Sequence, residues 1–157
     1  MGRWCDARDS RHGCGRTRIG SGGEAAIVAG LRAAGVLAVS LVAEAEGRIL
    51  GHAAFSPITI SGHPGRWFGL GPVSVLPERQ RTGIGTALIE EGLARLAASG
   101  AKGCVVLGDP AYYRRFGFVS DNRLVYPAAP ARYFQTLALS GEPPAGEVAY
   151  HSAFDAG

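Results

Sequence analysis

Between Leu76 and Thr86 the chain reads Leu-Pro-Glu-Arg-Gln-Arg-Thr-Gly-Ile-Gly-Thr, and the spacing Gln80-x-x-Gly83-x-Gly85 within it can do chemistry. An apolar strand carrying Val73 and Val75 ends at Pro77, and an amphipathic helix starts straight after the glycines. The first turn of a helix leaves backbone N–H groups without intrahelical partners, all aimed one way. Together with the positive end of the helix dipole they form an anion site, and glycine lets a phosphate approach the backbone closely. The spacing predicts a phosphate-bearing ligand held by Gln80 and the amides of Thr82, Gly83, Ile84, Gly85 and Thr86, with Arg79 and Arg81 at the rim.

Two commoner phosphate loops do not fit. Walker A requires Lys-Ser/Thr after its second glycine, where this chain has Thr86-Ala87. The dinucleotide fingerprint requires a third glycine at the position of Leu88. Further on, Cys104-Val-Val-Leu107 reads as a short buried strand between Gly103 and Gly108. Asp109 followed by Pro110 is a helix start, with Asp as N-cap and Pro at the first helical position. Tyr112 and Tyr113 lie on this short helix, Gly117 suits its stop, and Phe118 reads as the start of a strand.

The Gln-x-x-Gly-x-Gly segment resembles the acyl-CoA pyrophosphate loop of the GNAT N-acetyltransferases. The run from Tyr113 to Gly117-Phe118 resembles that family's second signature, Tyr-x-x-x-Gly-Phe, in the family's order and near its spacing. The resemblance extends over roughly residues 24–154. It includes Gly71-Pro-Val-Ser-Val-Leu-Pro, Val-Val-Leu-Gly-Asp-Pro-Ala-Tyr-Tyr and the tail from Tyr126-Pro, and it points to a YhbS-like bacterial subgroup.

The resemblance implies one α/β (α+β) domain with a central mixed, twisted sheet of about six strands and flanking helices. It implies transfer of an acetyl group from acetyl-CoA to a primary amine of a small molecule or protein, by direct attack on the thioester. The main chain of Val73, Ser74 and Val75 would align the pantetheine arm like an added strand. A backbone N–H near Val75 would face the developing oxyanion. Tyr113 would protonate the leaving thiolate. Tyr112 competes for that role but points roughly 100° away on a helix. Asp109 stands where relatives carry Asn; it reads as the helix cap and could also touch the cofactor.

No carboxylate falls within residues 67–76, and Glu78 reads as solvated, so no general base is evident. A water chain or an already neutral amine would serve. His52 reads as a half-buried structural histidine. The acceptor pocket is expected between the first helix, strand 48–60 and the tail, with Phe55, Trp67, Phe68, Tyr133 and Phe134 as its aromatic lining. A noncatalytic acyl-CoA sensor or scaffold is the alternative; it has no need of a phenol at the leaving group. A third reading is a defective chain that folds poorly.

Composition sets the outer bounds. At 157 residues and 46% hydrophobic the chain can bury a core as one domain. A net charge of +3, carried by arginines and one lysine, is too dispersed to argue for nucleic acid. Arg79, Arg81, Arg114 and Arg115 suit the mouth of a polyanion site instead. Cys5, His12 and Cys14 lack the paired spacing of a zinc site, so no metal is expected, and the thiols read as reduced. No apolar run approaches membrane-spanning length, and the first residues are polar, which predicts a cytoplasmic protein, monomeric or homodimeric.

The scaffold follows from patterning. Residues 1–22 hold five arginines and almost no apolar period, which reads as a disordered or atypical lead to a domain over 23–157. The opening strand expected from the family is not legible there, so it reads as absent or atypical, from a misassigned start or altered frame. Ser21 with Glu24 forms a capping box for a helix to about residue 34, closed by Gly35. Strands follow over 36–45 and 48–60, joined at Glu46-Gly47, then a turn over 62–65 and the central strand over 67–76. Pro72 predicts a bulge in that strand. The helix over 83–99 buries Ile84, Leu88, Ile89, Gly92, Leu93 and Leu96, with a Glu91–Arg95 surface pair. Residues 124–126, 133–139 and 147–150 read as late antiparallel strands.

Overall fold

The computed structural model describes residues 3–6 and 22–156. A twisted sheet runs in the order β1-β2-β3-β4-β5-β7. Its strands are β1 (Arg3–Asp6), β2 (Val39–Ala45), β3 (Arg48–Ile60), β4 (His63–Val75), β5 (Gly103–Leu107) and β7 (Phe134–Ala138). Strand β4 is parallel to β5, and the other neighbours on this path are antiparallel. Two short strands, β6 (Leu124–Val125) and β8 (Gly146–Ala149), extend it through pairing of β8 with the far end of β3. Helices α1 (Gly22–Ala33), α2 (Ile84–Ala98) and α3 (Pro110–Tyr113) complete the domain.

Strands β2, β3 and β4 are tied by two-residue turns in which both residues have positive φ: Glu46 and Gly47, then Ser61 and Gly62. That backbone suits the right-handed twist of the strands it joins. The second turn therefore lies ahead of the expected 62–65, and His63 and Pro64 belong to β4. Pro64 is tolerated because β4 pairs only with β3 there; pairing with β5 begins at Trp67. The bulge expected at Pro72 is present: Ala53 pairs with Val73 but Phe55 pairs with Leu70, so the register shifts across Gly71 and Pro72.

Three further expectations are corrected. The sheet has an opening strand, since Arg3–Asp6 pairs with Glu44 to Leu41 of β2. Arg-Trp-Cys-Asp has too little alternation to announce itself, and an edge strand is held by the ladder of one neighbour. The rest of the expected disordered lead lies outside the described residues, as does Ser21. Phe118 opens no strand, because only Val119 bridges to Thr136. Finally, β6 runs parallel to β8, because the chain turns back through β7 between them.

One face of the sheet packs on α2. Leu88, Ile89, Gly92, Leu93 and Leu96 are buried there against Leu41, Phe55, Leu70 and Val106. Full burial of one such Leu or Ile is worth about 1.5–3 kcal/mol. Gly92 is required by contact: a Cβ would lie 2.1 Å from Phe55 Cε2. The opposite face carries α1 and the C-terminal turn Ser152–Ala156, where Leu31 and Ala54 meet Ile27, Val28, Ala153 and Phe154. Gly35, at φ 69°, closes α1, with Val36 N–H donating to Leu31 O. The Glu91–Arg95 pair forms at 3.1 Å.

Candidate active site

Strand β4 is paired on both edges at its centre and on one edge at its end. Its parallel register with β5 runs from Trp67–Gly103 to Leu70–Val106 and stops, whereas pairing with β3 continues to Gly51–Val75. Leu76 N–H donates to Leu50 O at 2.9 Å. Alternation along an antiparallel ladder then turns the main-chain groups of Val73 and Val75 away from β3, towards the open edge. Those residues are where the resemblance places the pantetheine arm. Ser74, between them, is bonded back into the ladder, so its backbone is not available at that edge.

The chain leaves β4 through a single 3₁₀ turn at Pro77–Arg79 and reaches α2 by two left-handed residues, Arg81 at φ 62° and Gly83 at φ 89°. Thr82 Oγ1 donates to Arg79 O and closes the turn. Gly83 is the N-cap of α2 without a side-chain cap, and the first turn holds no acidic residue. The first intrahelical bond is Ala87 N–H to Gly83 O at 3.0 Å. The N–H groups of Ile84, Gly85 and Thr86 thus precede the ladder at the positive end of the helix, as a cradle for an anion. Around Gly83 a Cβ would meet nothing within 4 Å, so its backbone angle and the open approach are what call for glycine.

Gln80, expected among the cofactor-binding residues, braces the loop against the strand end: its Nε2 turns back and donates to Val75 O at 3.3 Å. Arg79 and Arg81 stay exposed beside the loop. Glu78 is solvated as expected and pairs with Arg48 at 3.0 Å.

The two tyrosines of α3 straddle the opening. Asp109 caps α3, its Oδ1 accepting from Ala111 N–H at 2.9 Å, so that carboxylate oxygen is committed to the helix. Tyr112 reaches towards α2: its Oη lies 3.4 Å from Thr86 Oγ1 and would sit 3.2 Å from a Cβ on Gly85. Arg115 stacks on the Tyr112 ring at 4.2 Å and donates to Tyr112 O. Tyr113 turns the other way, onto the backbone just past β5. A Cβ on Gly108 would lie 2.3 Å from its Cε2, and Phe118 meets its ring edge at 6.0 Å. Its hydroxyl makes no hydrogen bond among the described residues. Burial, and secondarily Tyr112, push its pKa up to about 12, so it is a protonated donor at neutral pH. Gly117, at φ 96°, ends the segment as expected.

The expected aromatic lining is not a pocket. Phe55 is core against α2, and Trp67 and Phe134 are core on the opposite face with Val105 and Leu124. Phe68 packs partly on the α2 side, which leaves Tyr133 exposed. Their alternation with small residues reads equally as core or pocket, and burial decides for core. His52 is half-buried, with Nε2 3.0 Å from Ser40 Oγ. Cys104 is buried and free, its thiol pushed up by burial, and so inert. Among the described residues no group of His, Cys, Asp and Glu could hold a metal, and no helix is long and apolar enough to cross a membrane. His12 and Cys14 lie outside the described residues.

An open strand end beside an uncapped helix N-terminus suits an extended, phosphate-bearing ligand. Residues 37–120 match the acetyltransferase (GNAT) domain family, and the chain belongs to that family. It is 36% identical over 149 residues to the N-acetyltransferase YhbS of Escherichia coli strain K12, covering 89% of this chain and 88% of YhbS. The crystal structure of a GNAT family acetyltransferase from Brucella melitensis, in complex with acetyl-CoA, aligns with TM-score 0.83 at 45% identity over 99% of both chains. The structure of E. coli YhbS in complex with CoA aligns with TM-score 0.81 at 35% identity, over 87% of this chain and 80% of YhbS.

Proposed function

We propose that this acetyltransferase moves the acetyl group of acetyl-CoA to a primary amine, on a small molecule or a protein, in the cytoplasm. The observation that carries the reading is the adjacency of β4's open end, at Val73 and Val75, to the uncapped amides of Ile84, Gly85 and Thr86. The first supports an extended amide-bearing chain, and the second supports a diphosphate. These are the two parts of CoA that a protein backbone can hold. Thr82 and Gly83 shape the cradle, Arg81 adds charge beside it, and Gln80 holds the loop to the strand.

In the proposed reaction the amine attacks the thioester carbon, and the Val75 N–H faces the oxygen as charge develops there. The thiolate takes a proton from Tyr113. Two features support Tyr113 over Tyr112: its place in the family signature, and a hydroxyl left unbonded while that of Tyr112 is drawn to Thr86. Asp109 acts as a helix cap. The absence of a carboxylate on β4 favours the sensor as the second reading.

Calorimetric titration with acetyl-CoA, beside thiol release against a panel of amines, tests the reading. Binding with amine-dependent release is the expected result. Binding without release under any amine favours the sensor, and no binding by folded protein overturns the cradle.

A further inference from the structure

We propose that His52, acting through Ser74, receives the proton that the acceptor nitrogen loses during acetyl transfer. This rests on the acetyl-transfer reading above, and it supplies the base that the sequence does not reveal.

Facing is fixed by neighbours. On β3, a Cβ at Gly51 would lie 3.1 Å from Ile84 Cγ2 and Leu88 Cδ1, so Gly51 faces α2 and His52 faces the other side. On β4, Val75 Cγ2 would lie 3.5 Å from a Cβ on Gly85, so Val75 faces α2 and Ser74 faces away. His52 and Ser74 are register partners. Directly opposed residues of antiparallel strands hold their Cβ atoms about 4.5–5.5 Å apart. On the far side His52 Nε2 meets Ser40 Oγ at 3.0 Å. Ser40, His52 and Ser74 thus make a polar row across β2, β3 and β4 that ends at the open edge of β4.

The face towards α2 is closed around this edge by Val73, Ile84, Tyr112 and Tyr113, which all pack on the main core. An amine therefore reaches an acyl carbon lying along Val73 and Val75 from the other face, where Ser74 stands. His52 Nε2 is held by Ser40, and its Nδ1 has no hydrogen-bond partner among the described residues, so the relay requires the Ser74 hydroxyl to turn onto Nδ1 across the paired strands when substrate is bound. Burial first, and the Arg32 guanidinium of α1 second, push the imidazole down to about 4, so it enters the reaction neutral.

The nitrogen–carbon bond forms, the carbon–sulfur bond breaks, and its electron pair leaves on sulfur, which takes the Tyr113 proton. The nitrogen's proton passes to Ser74 Oγ as the Ser74 proton passes to His52. Solvent then removes the proton from the imidazolium and restores the one on Tyr113. A nitrogen already bonded to the acyl carbon is far more acidic than the free amine, so a weakly basic imidazole suffices.

The test measures acetyl-CoA-dependent thiol release by the full chain with benzylamine, spermidine and a short peptide with a free α-amine. His52→Gln keeps a side-chain amide for Ser40, and His52→Ala opens room for added imidazole. The expected result is a fall in kcat of about 10²-fold or more for both, and for Ser74→Ala. The KM for acetyl-CoA should stay within about twofold, since ground-state binding is untouched. Added imidazole should restore part of the His52→Ala rate and none of a Tyr113→Phe rate. Full turnover by His52→Gln overturns the proposal, as does joint loss of turnover, acetyl-CoA affinity and Tm without rescue, which marks a structural role. A wild-type chain that releases no thiol with any amine overturns the transferase reading itself, and this proposal with it.

Discussion

The two ends of α2 are built to opposite rules. At the C-terminus the carbonyls of Arg95, Leu96 and Ala97 are all used. Ser99 N–H donates to Arg95 and Leu96 carbonyls, Ala101 N–H reaches back to Leu96 O, and Gly100 takes φ 84°. Ser99 Oγ donates to Leu96 O at 2.7 Å, and Arg66 closes the end by donating to the Ser99 and Gly100 carbonyls. At the N-terminus Gly83 provides no side-chain cap, no acid sits in the first turn, and the amides face outward. Both ends carry orphan backbone groups, and a helix gains by satisfying them. An open end, in a helix whose other end is capped by several bonds, suits an anionic ligand.

Substitutions at the two ends and between them can break or sharpen this contrast. The largest effect is expected beside the open end. Tyr113→Phe should cut turnover by about 10²–10⁴-fold while leaving acetyl-CoA affinity intact, since general acid help is worth that much. Tyr112→Phe, measured in the same thiol-release assay, should cut it far less. Reversal of that order would move the acid role to the residue tied to Thr86.

Next comes the helix body. Leu88→Ala removes a fully buried side chain and should cost about 2–5 kcal/mol in denaturant unfolding. The acetyl-CoA affinity of the molecules that remain folded should not change. An affinity loss would mean that the two ends are not separable.

His52 predicts a pH effect of similar size. Its folded pKa of about 4 lies below the unfolded 6.5, so between those values only the unfolded chain binds the proton. Stability is full above the unfolded value and falls as pH drops through that window, by about 3 kcal/mol at most. Unfolding of His52→Gln should show a shallower acid limb over the same range. An unchanged limb would place the imidazole in a more solvated setting.

The smallest effect is expected at the closed end. Arg66→Ala should cost about 1 kcal/mol, because its bonds to carbonyls are charge-assisted but exposed to solvent. Acetyl-CoA binding should be untouched.

Much of this contrast was legible in the sequence. Gly83, Gly85 and the apolar face of Ile84, Leu88, Ile89, Leu93 and Leu96 announce an amphipathic helix that starts on glycine. Gly100 announces its stop, and Asp109-Pro110 and Gly117 bound the tyrosine segment. Those signals are local, since turn chemistry and helical period act within a few residues. What stayed hidden is non-local. The bond from Gln80 to Val75 O depends on how the loop folds back. The row of Ser40, His52 and Ser74 depends on the register of three strands. Arg3–Asp6 is a strand because β2 offers an edge, and Phe55, Trp67 and Phe134 are core because of what covers them. Pro72, by contrast, signals its bulge directly, because a missing N–H cannot be hidden in a ladder.

The most direct measurement is a calorimetric titration of wild-type and Gly83→Asp protein with acetyl-CoA, with thermal unfolding of each. Aspartate adds bulk and negative charge where the diphosphate should sit, at the cost of strain from the left-handed backbone at Gly83. The expected result is a Kd weakened by about 100-fold or more, near 2.7 kcal/mol, with a Tm lowered by the backbone strain but a protein still folded at the temperature of the titration. Unchanged affinity in a folded Gly83→Asp protein would contradict the claim that the open end of α2 holds the cofactor.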